Sequence, residues 1–219
     1  MTDHPWTPAE LFAFKVPPPC WLPPTRRGRP SLAALQLAQR SPAETIDAIE
    51  IDEAAYEQCA DNFENSPWAD RLFCYHASIQ EFATEIDEQY DLIVSNPPFY
   101  TEDFKTSNAA RDMARFNDAM PFDHLLICVA TLLAPNGIFS LIIPRTFETE
   151  FLQLAAVQQL YPLRICRVKG TPDSEEKRSM IELGFTEHEA KIEHLVIETS
   201  RHQYTEAYTA LVSDFYLKM

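Results

Sequence analysis

The sequence predicts an α/β domain, a mostly parallel sheet covered by helices on both faces. Two observations carry that expectation. From Ser31 onward, short apolar runs alternate with amphipathic stretches, the pattern of strands joined by crossover helices. The run Leu92-Ile93-Val94 is continuously apolar, as in a strand buried on both faces, and it breaks abruptly into Asn96-Pro97-Pro98-Phe99.

Taken in order, 31–40 (SLAALQLAQR) has the composition of a helix, with Ser31 as a candidate N-cap after Pro30. Residues 45–51 (TIDAIEI) read as a strand. Residues 52–65 read as a helix whose buried face carries Ala55, Cys59 and Phe63 at spacings of four. A short strand over 72–75 and a short helix over 80–87 lead to the strand 91–95. The apolar stretch 122–134 reads as a helix ended by Pro135-Asn136-Gly137. A strong strand (138–143, IFSLII) and a helix (147–160) follow. The strand-like runs 163–169 and 194–199 close the order and offer an antiparallel edge. Segment 108–117 is polar and contains arginine, and reads as a mobile loop or helix beside the site.

Composition narrows the function. At 219 residues with 46% hydrophobic content, the chain fits one well-buried core. The N-terminus lacks the basic and apolar regions of a signal peptide, and no run is long enough to span a membrane. Five cysteines are scattered at no metal or redox spacing, and the six histidines are equally dispersed. Reduced thiols in a cytoplasmic protein without a metal site are the expectation. A net charge of −15 argues against general polyanion binding, since phosphate contacts need Lys and Arg. Local basic stretches remain: Arg26, Arg27, Arg29 and Arg40, and then Arg164, Arg167, Lys169, Lys177 and Arg178. Ordinary surface charge is the plain reading of each.

Ligands of open α/β sheets bind beyond the carboxyl ends of the strands. Three such ends carry polar groups. At the first, Glu50 can accept hydrogen bonds from both hydroxyls of a ribose, while Asp52 reads as the cap of the next helix. At the second, Ser78 can touch a nucleobase edge or simply cap a helix. At the third, the Asn96 amide oxygen, the Pro97 carbonyl and the Phe99 ring suit an amino group attached to a planar π-system.

These residues resemble the bacterial tRNA1(Val) adenine-N6 methyltransferases, which act on adenine 37 beside the anticodon. The resemblance rests on LQLAQRS, AIEIDEAAYEQCADNF, the strand leading into SNPPF, the opening TPAELFAFK and the tail YTEAYTALVSDFYLKM. The Asn-Pro-Pro-Phe motif alone is shared with guanine-N2 rRNA and glutamine-N5 protein methyltransferases, and the tail makes the match more specific. The resemblance implies a Rossmann-like class I methyltransferase fold, S-adenosyl-L-methionine as cofactor and a tRNA anticodon loop as substrate. It implies that Glu50 binds the cofactor ribose and that Ser78 and Ile79 lie at its adenine, where the family usually has an acidic residue in place of Ser78. Asn96 and Pro97 would hold the target amino group, Asn96 also bordering the cofactor. Pro98 and Phe99 would bind the target base.

One segment departs from the family. Where a strand and a glycine-rich loop should precede LQLAQRS, the chain has VPPPCWLPPTRRGRP, six prolines in fifteen residues. Prolines at that density exclude a central strand or a helix interior. Only Gly28 of the chain's four glycines lies before Gly137. The chain therefore divides into an N-terminal segment (1–15), an aberrant proline-rich segment (16–31) and a methyltransferase domain (32–219). We read 16–31 as an out-of-frame or otherwise corrupted stretch with a deletion, which leaves the first strand and glycine loop disrupted. Two other functions follow from the same text: guanine-N2 methylation of rRNA, or a catalytically impaired methyltransferase-like protein that binds RNA or a partner.

Overall fold

The computed structural model describes residues 10–14, 30–97 and 121–216. Eight strands form one sheet in the order β3-β2-β1-β4-β5-β7-β6-β8. They are β1 (Glu10–Phe14), β2 (Ile46–Glu50), β3 (Leu72–His76), β4 (Tyr90–Asn96), β5 (Leu133–Pro144), β6 (Tyr161–Lys169), β7 (Glu176–Gly184) and β8 (Lys191–Val196). A two-stranded ribbon, β9 (Glu198–Ser200) with β10 (Gln203–Tyr204), lies apart. The helices are α1 (Pro30–Arg40), α2 (Glu53–Glu64), α3 (Ile79–Glu85), α4 (Phe122–Leu132), α5 (Glu148–Val157) and α6 (Glu206–Val212).

Strand alternation sorts side chains onto the two faces. Ile46, Ala48 and Leu92 pack with Ala34 and Leu37 of α1 and with Cys59 and Phe63 of α2. Their sequence neighbours Ile49 and Ile93 point the other way, into a larger core with Phe82 of α3, Leu126 of α4 and Phe151 of α5. On β5, Ile138 joins the first face, while Phe139, Leu141 and Ile143 join the second. A satellite core of Cys166, Val168, Met180 and Leu195 takes Ile142 of β5 and Tyr208 and Leu211 of α6. Ile142 shares the strand parity of Ile138, so this satellite sits on the α1/α2 side.

Local signals explain the helix starts. Asp52 Oδ1 accepts from the Ala55 amide at 2.8 Å and caps α2. Ser78 and Glu81 form a reciprocal capping box at α3. Of the expected α2 face, Cys59 and Phe63 are buried and Ala55 is half-buried. Gly137 does not end a helix in a loop: β5 already begins at Leu133 and runs through it. A Cβ there would lie 2.8 Å from the Tyr90 carbonyl oxygen, so the close approach of β4 requires glycine.

Six of the eight strands point one way, as expected of a mostly parallel sheet: β2–β3, β4–β5 and β6–β8 are parallel, while β1 is antiparallel to both its neighbours and β7 to both of its own. The expectation and the sheet differ in detail. The antiparallel strand of the late half is β7, which the sequence reading took only as a basic stretch. The runs expected to form an antiparallel edge pair in parallel as β6 and β8. Finally, the central place is filled. Glu10–Phe14 lies between β2 and β4, reversed, with Leu11 opposite both Ile49 and Ser95. An open slot there would leave backbone groups of two buried strands unpaired, a cost that any apolar segment able to extend can relieve. Segments 1–9, 15–29, 98–120 and 217–219, including the polar stretch 108–117, lie outside the described residues.

Candidate active site

β2 and β4 run parallel on either side of β1, and their carboxyl ends stop level. Leu11 is opposite Ile49 on one side and Ser95 on the other, so Glu50 and Asn96 stand one residue further at the same height. Two strand spacings separate their backbones, roughly 10 Å. Both share strand parity with the residues that pack toward α1 and α2.

Glu50 is buried, with 3% of its surface exposed. Burial pushes its carboxyl above the ordinary value, opposed by hydrogen bonds from the backbone of Asp52 and Ile51. The Asp52 amide donates to Glu50 Oε1 at 2.9 Å. Asp52 is itself committed to capping α2. The structure therefore separates the two acids as the sequence suggested, one held inward and one used locally. Beside them His76 pairs with Glu50 across β2 and β3. Its Nε2 lies 3.1 Å from the Ile51 carbonyl oxygen, and its ring stacks on Tyr56 at 5.2 Å.

At the second strand end, Ser78 Oγ donates to Glu81 Oε2 at 2.7 Å and accepts from the Glu81 amide at 3.2 Å. Of the two roles the sequence allowed Ser78, the cap is the one its hydroxyl performs here. Ile79 is buried in the larger core. At the third end, Asn96 closes β4 half-buried and Pro97 is buried. Pro98 and Phe99 lie outside the described residues.

The reading of the sequence missed how the second basic stretch divides. Arg164 pairs with Glu193 at 2.6 Å and with Glu182 at 3.6 Å. Arg167 pairs with the buried Glu148 at 2.8 Å, and Ser179 Oγ donates to the same carboxylate. Arg145 lies 3.3 Å from Glu176, which also faces His194 at 3.0 Å. Among the described residues Arg178 has no such carboxylate. Period-two alternation over 177–183 was the signal for β7, with Lys177, Ser179 and Ile181 on one face and Arg178, Met180 and Glu182 on the other. Among the described residues, no cluster of three or more His, Cys, Asp or Glu side chains is placed to hold a metal. No helix among them is long and apolar enough to cross a membrane.

Comparison with known proteins decides the family. The methyltransferase small domain model matches residues 31–155. A tRNA1(Val) (adenine(37)-N6)-methyltransferase of Flavobacterium psychrophilum is 57% identical over 188 residues, which cover 86% of this chain and 80% of the relative. The chain belongs to the tRNA1(Val) (adenine(37)-N6)-methyltransferase family. A member from Bacteroides fragilis is 40% identical over 189 residues, 86% of this chain and 79% of its own. The fold likeness extends further. A predicted O-methyltransferase from Agrobacterium tumefaciens superposes with a TM-score of 0.55 at 16% identity, over 75% of each chain. The sheet order with its antiparallel β7 is thus that of a Rossmann-like methyltransferase. The match to the small domain opens at residue 31, where the proline-rich segment ends.

Proposed function

We propose that this chain methylates the N6 amino group of adenine 37 in the anticodon loop of tRNA1(Val), in the cytoplasm, with S-adenosyl-L-methionine as donor. The observation that carries the reading is the level pair Glu50 and Asn96 flanking the central strand, in a chain 57% identical to a relative of that name. When bound, the cofactor supplies the methyl group. The residues of this chain do the rest. Buried Glu50 accepts hydrogen bonds from the ribose hydroxyls. The Asn96 side-chain oxygen and the Pro97 carbonyl accept from the two N–H groups of the target amine, which favours a pyramidal nitrogen with its lone pair free. Pro98 and Phe99 hold the base, with Phe99 stacking at about 1–3 kcal/mol. Most of the acceleration is positioning. A base paired in a stem cannot enter, so an unstacked loop base is required.

The fit to the cofactor is incomplete. Glu50 suits the ribose, and Ile79 lies at the neighbouring strand end, where the family places the adenine. The amino-acid end of the cofactor needs a close backbone approach, which glycines allow. Between β1 and α1 the sequence carries a single glycine, Gly28, which lies outside the described residues, in place of a glycine-rich loop. The reversed β1 points its amino end at the site, where the family's strand points its carboxyl end. That single feature favours the second reading, a family member impaired in catalysis that still binds RNA.

The test is transfer of labelled methyl groups to a tRNA1(Val) transcript, with mass-spectrometric location of the product. N6-methyladenine at position 37, lost in Asn96→Ala at unchanged thermal midpoint, supports the proposal. RNA binding with no transfer selects the impaired reading. Methylation at a guanine N2 overturns the adenine assignment.

A further inference from the structure

Among the arginines of β6 and β7, one stands apart. Arg164 and Arg167 each meet carboxylates within 3 Å, while among the described residues the Arg178 side chain has one hydrogen bond, to the Lys177 carbonyl oxygen at 3.2 Å. Arg178 is half-buried, and burial pulls its guanidinium below the ordinary value. A charge held this way without a counter-charge costs stability, and a site that meets an anionic ligand offsets that cost.

Its position gives the reason. Arg178 lies opposite Pro144 on β5 and Val168 on β6, at the carboxyl end of both strands. Ser95 is level with Leu141, so Asn96 is level with Ile142. Arg178 therefore sits two strands across and two residues beyond Asn96, roughly 12 Å away. Its strand parity is that of Met180, in the satellite core on the α1/α2 side. Glu50 and Asn96 share that parity. Lys177 precedes it, exposed, and Lys169 lies across on β6, half-buried. Neither lysine has an ion pair among the described residues. The acids of the intervening turn, Asp173 and Glu175, pair with none of these cations. Glu176 is engaged by Arg145 and His194.

We propose that Arg178 is the phosphate-binding residue that seats the RNA backbone beside the target adenine. The proposal rests on the RNA-methyltransferase reading above and names the surface that reading requires. A chain with a net charge of −15 repels RNA over most of its surface. A cation on the face of Glu50 and Asn96, without an ion pair among the described residues, is then what registers the substrate, since phosphate contacts position while the pocket specifies.

The test is binding of the full 219-residue chain to a fluorescent tRNA1(Val) transcript across a salt series. Arg178→Gln should weaken binding about tenfold and flatten the dependence of log affinity on log salt by roughly 0.7–0.9. Arg178→Lys should keep the slope. Lys191→Gln, at the far end of β8, should match the parent chain. A purely structural role for Arg178 would shift the thermal midpoint without changing the salt slope, and that result overturns the proposal. So does an Arg178→Gln chain with parental affinity and slope, which leaves the methyltransferase reading standing. A parent chain that neither binds nor methylates the transcript overturns both.

Discussion

Tyr90 Oη donates a hydrogen bond to Asp47 Oδ2 at 2.6 Å, between two strands that are not neighbours. Tyr90 is on β4 and Asp47 on β2, with β1 between them. Both side chains are buried. Burial first, and then the Asp47 hydrogen bond and charge, push the Tyr90 hydroxyl well above its ordinary value, so it stays a donor at any physiological pH. The pair ties the two halves of the sheet across its central strand. Tyr90→Phe removes the donor and leaves the carboxylate less well satisfied, a loss of about 1.5–3 kcal/mol. A urea titration reads this as a lowered midpoint at unchanged slope. An unchanged midpoint would show that the bridge contributes nothing to holding β2 and β4.

Glu50 predicts a trade between binding and stability. Its folded pKa is raised by burial, so its contribution to stability is present in acid and is lost as pH rises through that value. The proposed ribose contact gives a reason for keeping such a carboxyl inside. Glu50→Gln keeps the acceptor for the Asp52 amide and removes the charge. The variant should unfold at a temperature equal to or above that of the parent, while any cofactor affinity falls roughly tenfold to hundredfold. Lower stability with unchanged affinity would make Glu50 a structural acid.

Glu148 has the opposite sign. Burial pushes its carboxyl up, but hydrogen bonds from Arg167 and Ser179 and the charges of Arg167 and Arg145 together hold it below the ordinary value. Its stabilisation is therefore present above the unfolded carboxylate pKa and is lost as pH falls through the lowered one. Glu148→Gln should cost most at neutral pH, and the gap to the parent should narrow below about pH 4. Parallel stability curves across that range would remove Glu148 from the acid transition.

The proline-rich segment gives the fourth expectation. Replacing residues 16–31 by a strand and a glycine-bearing turn should restore a parallel central strand and expel Glu10–Phe14 from its slot. Calorimetric titration with S-adenosyl-L-methionine should then show at least about tenfold tighter binding than the chain as it stands. Equal, tight binding by both chains would mean that the reversed β1 supports the cofactor by another route.

Much of this was written locally in the chain. The apolar run ending in Asn96-Pro97, the Asp52 cap followed by Cys59 and Phe63, and the choice of Glu50 as the inward acid depend on residues within a few positions of one another. Ser78 was legible only as two alternatives, because a serine at a strand end looks the same whether it caps a helix or meets a ligand. The capping box with Glu81 decided which role its hydroxyl plays here. Tertiary structure alone decided what depends on pairing between distant strands. Glu10–Phe14 enters the sheet reversed because two buried strands left a gap, and no local pattern announces a gap. Arg164, Arg167 and Arg178 read as one basic stretch. Strand parity and the positions of Glu148, Glu182 and Glu193 then gave two of them partners and left the third without one among the described residues. Backbone propensity is a property of neighbours in sequence, whereas charge satisfaction is a property of neighbours in space.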